Sequence, residues 1–96
     1  MTTFEATKTV RGDHPAFSDH FPGNPMLPGA VLAELVVESA REAGWTIVAI
    51  DLLKFAKPIR AGGTLRILFK RSGPTAQFDC SMANAVVASG KLRLAE

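Results

Sequence analysis

The sequence predicts an α+β domain in which an antiparallel sheet is wrapped around one long central helix. Two observations carry this expectation. One apolar run of helical breadth ends at Gly44, and four strand-like runs separated by tight-turn residues follow it. A fifth strand-like run precedes the helix, so the chain reads strand, helix, then four strands in succession.

The first strand spans about Thr2 to Arg11, with Phe4, Ala6 and Val10 on one face and Glu5, Thr7 and Thr9 on the other. Gly12-Asp13-His14-Pro15 is a turn, and His14 within it reads as a loop residue. Three prolines (Pro22, Pro25, Pro28) and two glycines (Gly23, Gly29) then stiffen a short loop that feeds the helix. The helix starts near Gly29 or Ala30 and stops at Gly44; at about 1.5 Å per residue it is about 21 Å long. Val31, Leu32, Leu35, Val36 and Val37 leave no polar stripe through its first half, which is therefore expected to be covered on more than one side. Glu38, Arg41 and Glu42 mark a solvent-facing end. Strands follow over about Trp45 to Ala56, Thr64 to Arg71, Ala76 to Ala83 and Val86 to Ala95. Pro58 with Ala61-Gly62-Gly63, and Ser72-Gly73-Pro74, separate the first three, and a bulge or turn is expected around Ser89-Gly90. With no repeat, linker or low-complexity segment, residues 1–96 read as one domain.

Glu34 is the anomaly of the helix. An ionised carboxylate in apolar surroundings costs several kcal/mol unless it is partnered or held protonated. His20 lies fourteen residues before it in the loop, and the first-turn backbone N–H groups of a helix beginning at Gly29 have no intrahelical acceptor. One short segment thus supplies an imidazole, a carboxyl group and N–H donors at a positive helix end, a set suited to proton abstraction beside a carbonyl. Asp13, His14, Asp19 and His20 do not read as a metal site, because the prolines between them oppose convergence.

At 96 residues and 47% hydrophobic content, a domain this small buries a limited fraction of its surface alone, so a partner subunit is expected. No apolar run approaches the about 20 residues of a membrane span, and MTTFEATKTV has no signal-peptide core, which reads as cytoplasmic. The lone Cys80 alternates with polar neighbours and reads as a buried small residue. The net charge is +2, but from Lys54 onward the chain is basic: Lys54, Lys57, Arg60, Arg66, Lys70, Arg71, Lys91 and Arg93 face only Asp79 and Glu96. Nucleic acid is a poor partner, since no stacking aromatics are interleaved with these charges.

The run His20-Phe21-Pro22-Gly23-Asn24-Pro25-Met26-Leu27-Pro28-Gly29, followed by Glu34, resembles the signature of the hotdog-fold 3-hydroxyacyl-acyl-carrier-protein dehydratases. Lys54-Phe55-Ala56-Lys57-Pro58-Ile59-Arg60-Ala61-Gly62, then Gly63-Thr64-Leu65, is similar to a second segment of that family. The resemblance covers about Phe4 to Ala95 and is nearest the short members that serve specialised lipid pathways such as aryl polyene formation. It implies the hotdog fold, a homodimer or an assembly of dimers, and a site at the dimer interface with His20 of one subunit facing Glu34 of the other. It further implies loss of water from a 3-hydroxyacyl thioester on the phosphopantetheine arm of acyl carrier protein, giving the trans-2-enoyl thioester. In that reaction His20 takes the α proton, Glu34 protonates the departing hydroxyl, and the Gly29 and Ala30 N–H groups receive the thioester oxygen. Phe21, Met26, Leu27 and Pro28 would contact the acyl group, with Leu32 beside them. Lys57, Arg60, Lys70 and Arg71 would dock the acidic carrier protein. No metal or redox cofactor is expected.

The chain departs from the family pattern at several positions. Asp19 stands where Gly usually precedes the His, Ala30 replaces the usual Val, Gly63 stands where Asp is common, and there is no tyrosine to gate an acyl tunnel. The N-terminal segment that precedes the first strand in standard fatty-acid-synthesis members has no counterpart in this sequence. Glu34, rather than Asp, points to plain dehydration without isomerisation. The alternatives are a hotdog acyl thioesterase, which would not need His20 and Glu34 at this spacing, and a noncatalytic carrier-binding or dimer-partner subunit, which would survive loss of His20.

Overall fold

The structure, a computed structural model, describes residues 1–10, 27–60 and 62–95. Its elements are β1 (Thr2–Thr9), α1 (Gly29–Glu42), β2 (Ile47–Phe55), β3 (Thr64–Ser72), β4 (Thr75–Met82) and β5 (Ala85–Leu94). All strands join one antiparallel sheet in the order β1-β3-β4-β5-β2, so β1 and β2 form its two edges.

Strand alternation builds the core. Leu65, Ile67 and Phe69 of β3, Ala76, Phe78 and Cys80 of β4, and Ala88, Leu92 and Leu94 of β5 all bury their side chains. Leu32, Val36 and Ala40 of α1 pack on the same cluster, and buried Ser39 donates to the Leu35 carbonyl at 2.7 Å. The helix ends as the sequence predicts. Gly44 takes φ +86°, a conformation that favours glycine, while the Gly44 N–H donates to Arg41 O at 2.9 Å and the Trp45 N–H to Ala40 O at 3.3 Å. Lys8 reaches from β1 to Glu38, at 3.0 Å, and to Glu42.

Two expectations need correction. Among the described residues the helix is not enclosed: Ala30, Glu34, Glu38, Arg41 and Glu42 are exposed, and Val31, Leu35 and Val37 are only half-buried. Only the face carrying Leu32, Val36, Ser39 and Ala40 is covered, because a five-stranded sheet of this width packs on one side of the helix. The bulge lies before Ser89-Gly90: Cys80 pairs with Ala88 while Ser81 pairs with Val86, leaving Val87 as the extra residue. Gly90 is regularly paired to Phe78 and Leu53, and its glycine answers a close approach of chains. A Cβ there would lie 2.0 Å from Leu52 O and 2.5 Å from Phe78 Cζ. Finally, β2 breaks strict alternation, with Val48 and Asp51 as extra residues against β5, and Asp51 accepts from Arg93 at 2.5 Å.

Cys80 is fully buried, as its setting in the sequence predicts, and burial pushes its thiol up to about 12. It should resist iodoacetamide at pH 8 in the native protein and react once the chain is unfolded in guanidinium; labelling at equal rates in both states contradicts its burial. The linkage sign is also fixed. Native Cys80 keeps its proton between about pH 9 and 12 while the unfolded thiol loses it, so this contribution to stability falls as pH rises through that window.

Candidate active site

Pro28 is the N-cap of α1, at φ −63° and ψ 147°, and no side chain caps the helix. Its carbonyl accepts from the Val31 and Leu32 N–H groups at 3.0 and 3.2 Å. The Gly29 and Ala30 N–H groups therefore stand at the positive end of the helix with no acceptor among the described residues.

Glu34 lies on the exposed stripe of α1, one turn beyond Ala30. With Ala33, Val37, Glu38, Arg41 and Ile50 it lines an open cavity of about 400 Å³ between the helix and β2. Among the described residues it makes no hydrogen bond and no ion pair. The apolar surroundings expected around it are not supplied by the described residues of its own chain beyond Ala33, Val37 and Ile50. His20, Phe21 and Met26 lie outside the described residues, as do Asp13, His14 and Asp19. Among the described residues no group of three His, Cys, Asp or Glu side chains converges to hold a metal.

Two other expectations change. Leu27 is buried in the core, and its N–H donates to Ile59 O at 2.7 Å, which ties the start of the helix to the segment before β3. Leu32 is likewise wholly buried, while Pro28 remains half-buried at the helix start. The four docking cations do not form one patch. Lys57 and Arg60 are exposed around Ile59, at the helix N-terminal end of the molecule. Lys70 and Arg71 lie near the far end of β3, about 20 Å along the strand from Thr64 at about 3.3 Å per residue. Being successive residues of a strand they also point to opposite faces: Lys70 outward, Arg71 inward over the Trp45 ring at 5.5 Å. Arg71 is further engaged by the carbonyls of Gly73, at 2.8 Å, and Ala95, at 3.4 Å.

Phe55 is the neighbour that sequence reasoning missed. Its ring stands at the helix start, with Cε2 3.3 Å and Cζ 3.5 Å from where a Cβ on Gly29 would be, yet the residue is 47% exposed. Its strand leaves Val48, Ile50 and Leu52 exposed as well, along an edge that no described strand covers. Among the described residues no helix is long and apolar enough to cross a membrane.

Comparisons with known proteins bear on the family and the fold. The ApeI-like family, described as ApeI dehydratase, matches residues 1–91. The 3-hydroxyacyl-acyl-carrier-protein dehydratase FabZ of Ehrlichia chaffeensis is 33% identical over 87 residues, which are 78% of this chain and 60% of that one. The chain thus spans about three fifths of the length of that relative. The dehydratase heterocomplex ApeI:P from Xenorhabdus doucetiae superposes with a TM-score of 0.81 at 23% identity, covering 98% of this chain and 88% of that one, which shows a shared fold. An uncharacterized protein from Erwinia carotovora subsp. atroseptica gives a TM-score of 0.79 at 31% identity, covering 97% and 82%. The fold is the hotdog fold, with one helix among the described residues against a five-stranded antiparallel sheet.

Proposed function

Because the chain belongs to the ApeI-like dehydratase family, we propose that it removes water from a 3-hydroxyacyl thioester carried on the phosphopantetheine arm of acyl carrier protein, giving the trans-2-enoyl thioester. The observation that carries this reading is the placement of a carboxyl, Glu34, on an exposed helix face one turn beyond the Gly29 and Ala30 N–H donors, which find no acceptor among the described residues. A carbonyl held at that helix start gains charge stabilisation as its α proton leaves. His20, nine residues before Gly29, takes that proton, and Glu34 in its protonated form gives one to the departing β hydroxyl. Both steps are proton transfers and call for no redox or metal group.

A second copy of this family's fold completes the site. The uncovered apolar edge of β2 and the exposed stripe of α1 adjoin, since Ile50 and Glu34 line one cavity, and burying both would shelter Glu34 from water. We read the assembly as a homodimer in which His20 reaches Glu34 of the other subunit; the ApeI:P heterocomplex makes a related hotdog chain the other partner to test. Lys57 and Arg60, the cations near the helix start, are the docking positions for an acidic carrier protein. A carrier-bound substrate places the reaction in the cytoplasm.

Incubation with 3-hydroxybutyryl-carrier protein, followed by mass spectrometry of the intact carrier, tests the activity. Loss of one water with the thioester retained is the expected result. Release of free acid would make the protein a thioesterase, and no change with the carrier still bound would make it a noncatalytic subunit.

A further inference from the structure

Phe55 is half-exposed, yet it is fixed at its base. Its backbone pairs with Ala88 at the last position of the β2–β5 ladder, and the two residues after it donate their N–H groups to the Val87 carbonyl, Ala56 at 2.9 Å and Lys57 at 3.2 Å. The backbone beneath the ring is thereby fixed, and the ring stands with its Cε2 3.3 Å from where a Cβ on Gly29 would lie, beside the residue whose N–H would receive the thioester oxygen. The α carbon of a bound thioester is two bonds from that oxygen, so a ring beside Gly29 borders the space around the α carbon.

Resting on the dehydratase reading, we propose that Phe55 is a specificity-determining wall, whose ring admits an unbranched 3-hydroxyacyl group and excludes one carrying a methyl on the α carbon. A linear chain leaves the α carbon with only hydrogens toward the ring. A methyl there needs space that the ring already fills, and the anchored backbone at Ala56 and Lys57 prevents the strand end from yielding. Trimming the side chain opens that space while leaving Gly29 and Glu34 in place. The Gly29 backbone still presents its N–H to the carbonyl.

The test compares 3-hydroxybutyryl and 2-methyl-3-hydroxybutyryl thioesters of acyl carrier protein as competing substrates for the wild type, Phe55→Leu and Phe55→Ala, reading the ratio of kcat/KM values. The wild type should favour the linear substrate by about 10- to 200-fold, the range one methyl commands in a fitted apolar pocket. Phe55→Ala should narrow that preference to within about threefold, with Phe55→Leu between the two. Thermal melts of each variant identify any that fail to fold, and Phe55→Leu keeps most of the apolar contact should Phe55→Ala be unstable. A ratio that stays at its wild-type value while both rates fall together overturns the proposal, because it assigns Phe55 a purely structural role. A wild type that dehydrates the linear substrate with an unmoved ratio in the variants therefore sinks this inference alone, whereas a wild type inactive on both substrates sinks the dehydratase reading and this inference with it.

Discussion

Glu34→Gln should lower the rate of dehydration at least about a hundredfold while leaving the melting temperature within about 2 °C of wild type. The amide keeps the shape of the side chain but has no acidic proton to give the departing hydroxyl. Because Glu34 is exposed and unbonded among the described residues, its substitution removes no core contact from the single chain. His20→Ala should cost a comparable factor, since removing a positioned general base typically forfeits about 10²- to 10⁴-fold. Rate measurements on carrier-bound 3-hydroxyacyl thioesters decide the matter. A Glu34→Gln protein that retains more than about a tenth of wild-type activity would show that the helix carboxyl is not the acid.

The second large effect falls on the fold. Gly90→Ala should destabilise the protein by about 3 kcal/mol or more, lowering the melting temperature by at least about 12 °C for a domain of this size. The new methyl would sit 2.0 Å from Leu52 O and 2.9 Å from Leu52 C, both backbone atoms of the facing strand that cannot rotate aside. Relief requires β2 to lift from β5, and β2 carries the Ile50 and Phe55 side chains that border the site. Gly29→Ala offers the contrast: its methyl meets only the Phe55 ring, at 3.3 Å, a side-chain contact relieved by a shift of a few tenths of an ångström. Melts at one fixed protein concentration, which keeps any subunit association constant, compare the two. A Gly90→Ala protein melting within about 3 °C of wild type would show that the strands are not packed as described.

Much of this architecture was legible in the sequence because its signals are local. Gly44 marks the helix end by its left-handed backbone, and the alternation of Leu65, Ile67 and Phe69 with Arg66 and Leu68 fixes the inner face of β3. The failures arise where a residue answers a distant neighbour. Gly90 reads as a bulge, yet its small size answers β2 crossing above it, while the extra residue sits at Val87. Arg71 reads as part of a cationic surface with Lys70, but adjacent strand residues diverge, and Trp45 takes its guanidinium. The apolar first half of the helix reads as enclosed, yet Val31, Leu35 and Val37 are half-covered, because the described sheet packs on one side of the helix only. Phe55 passes for a core strand residue, and its ring does lie on the helix side of the sheet, but at the last position of β2 it is left half-exposed beside Gly29. The positions of His20, Phe21 and Met26 rest on the resemblance alone.

The central claim is that elimination occurs where the base of one subunit meets the acid of another. Mixing the His20→Ala and Glu34→Gln proteins, after partial unfolding and refolding together to exchange subunits, tests it most directly by mass spectrometry of 3-hydroxybutyryl-carrier protein. Random reassortment makes half of the dimers mixed, and each mixed dimer has one of its two sites intact, so the mixture should regain about a quarter of wild-type activity. A mixture as inactive as its two parents, with exchange verified by mass, would contradict a shared site and place both groups within a single chain.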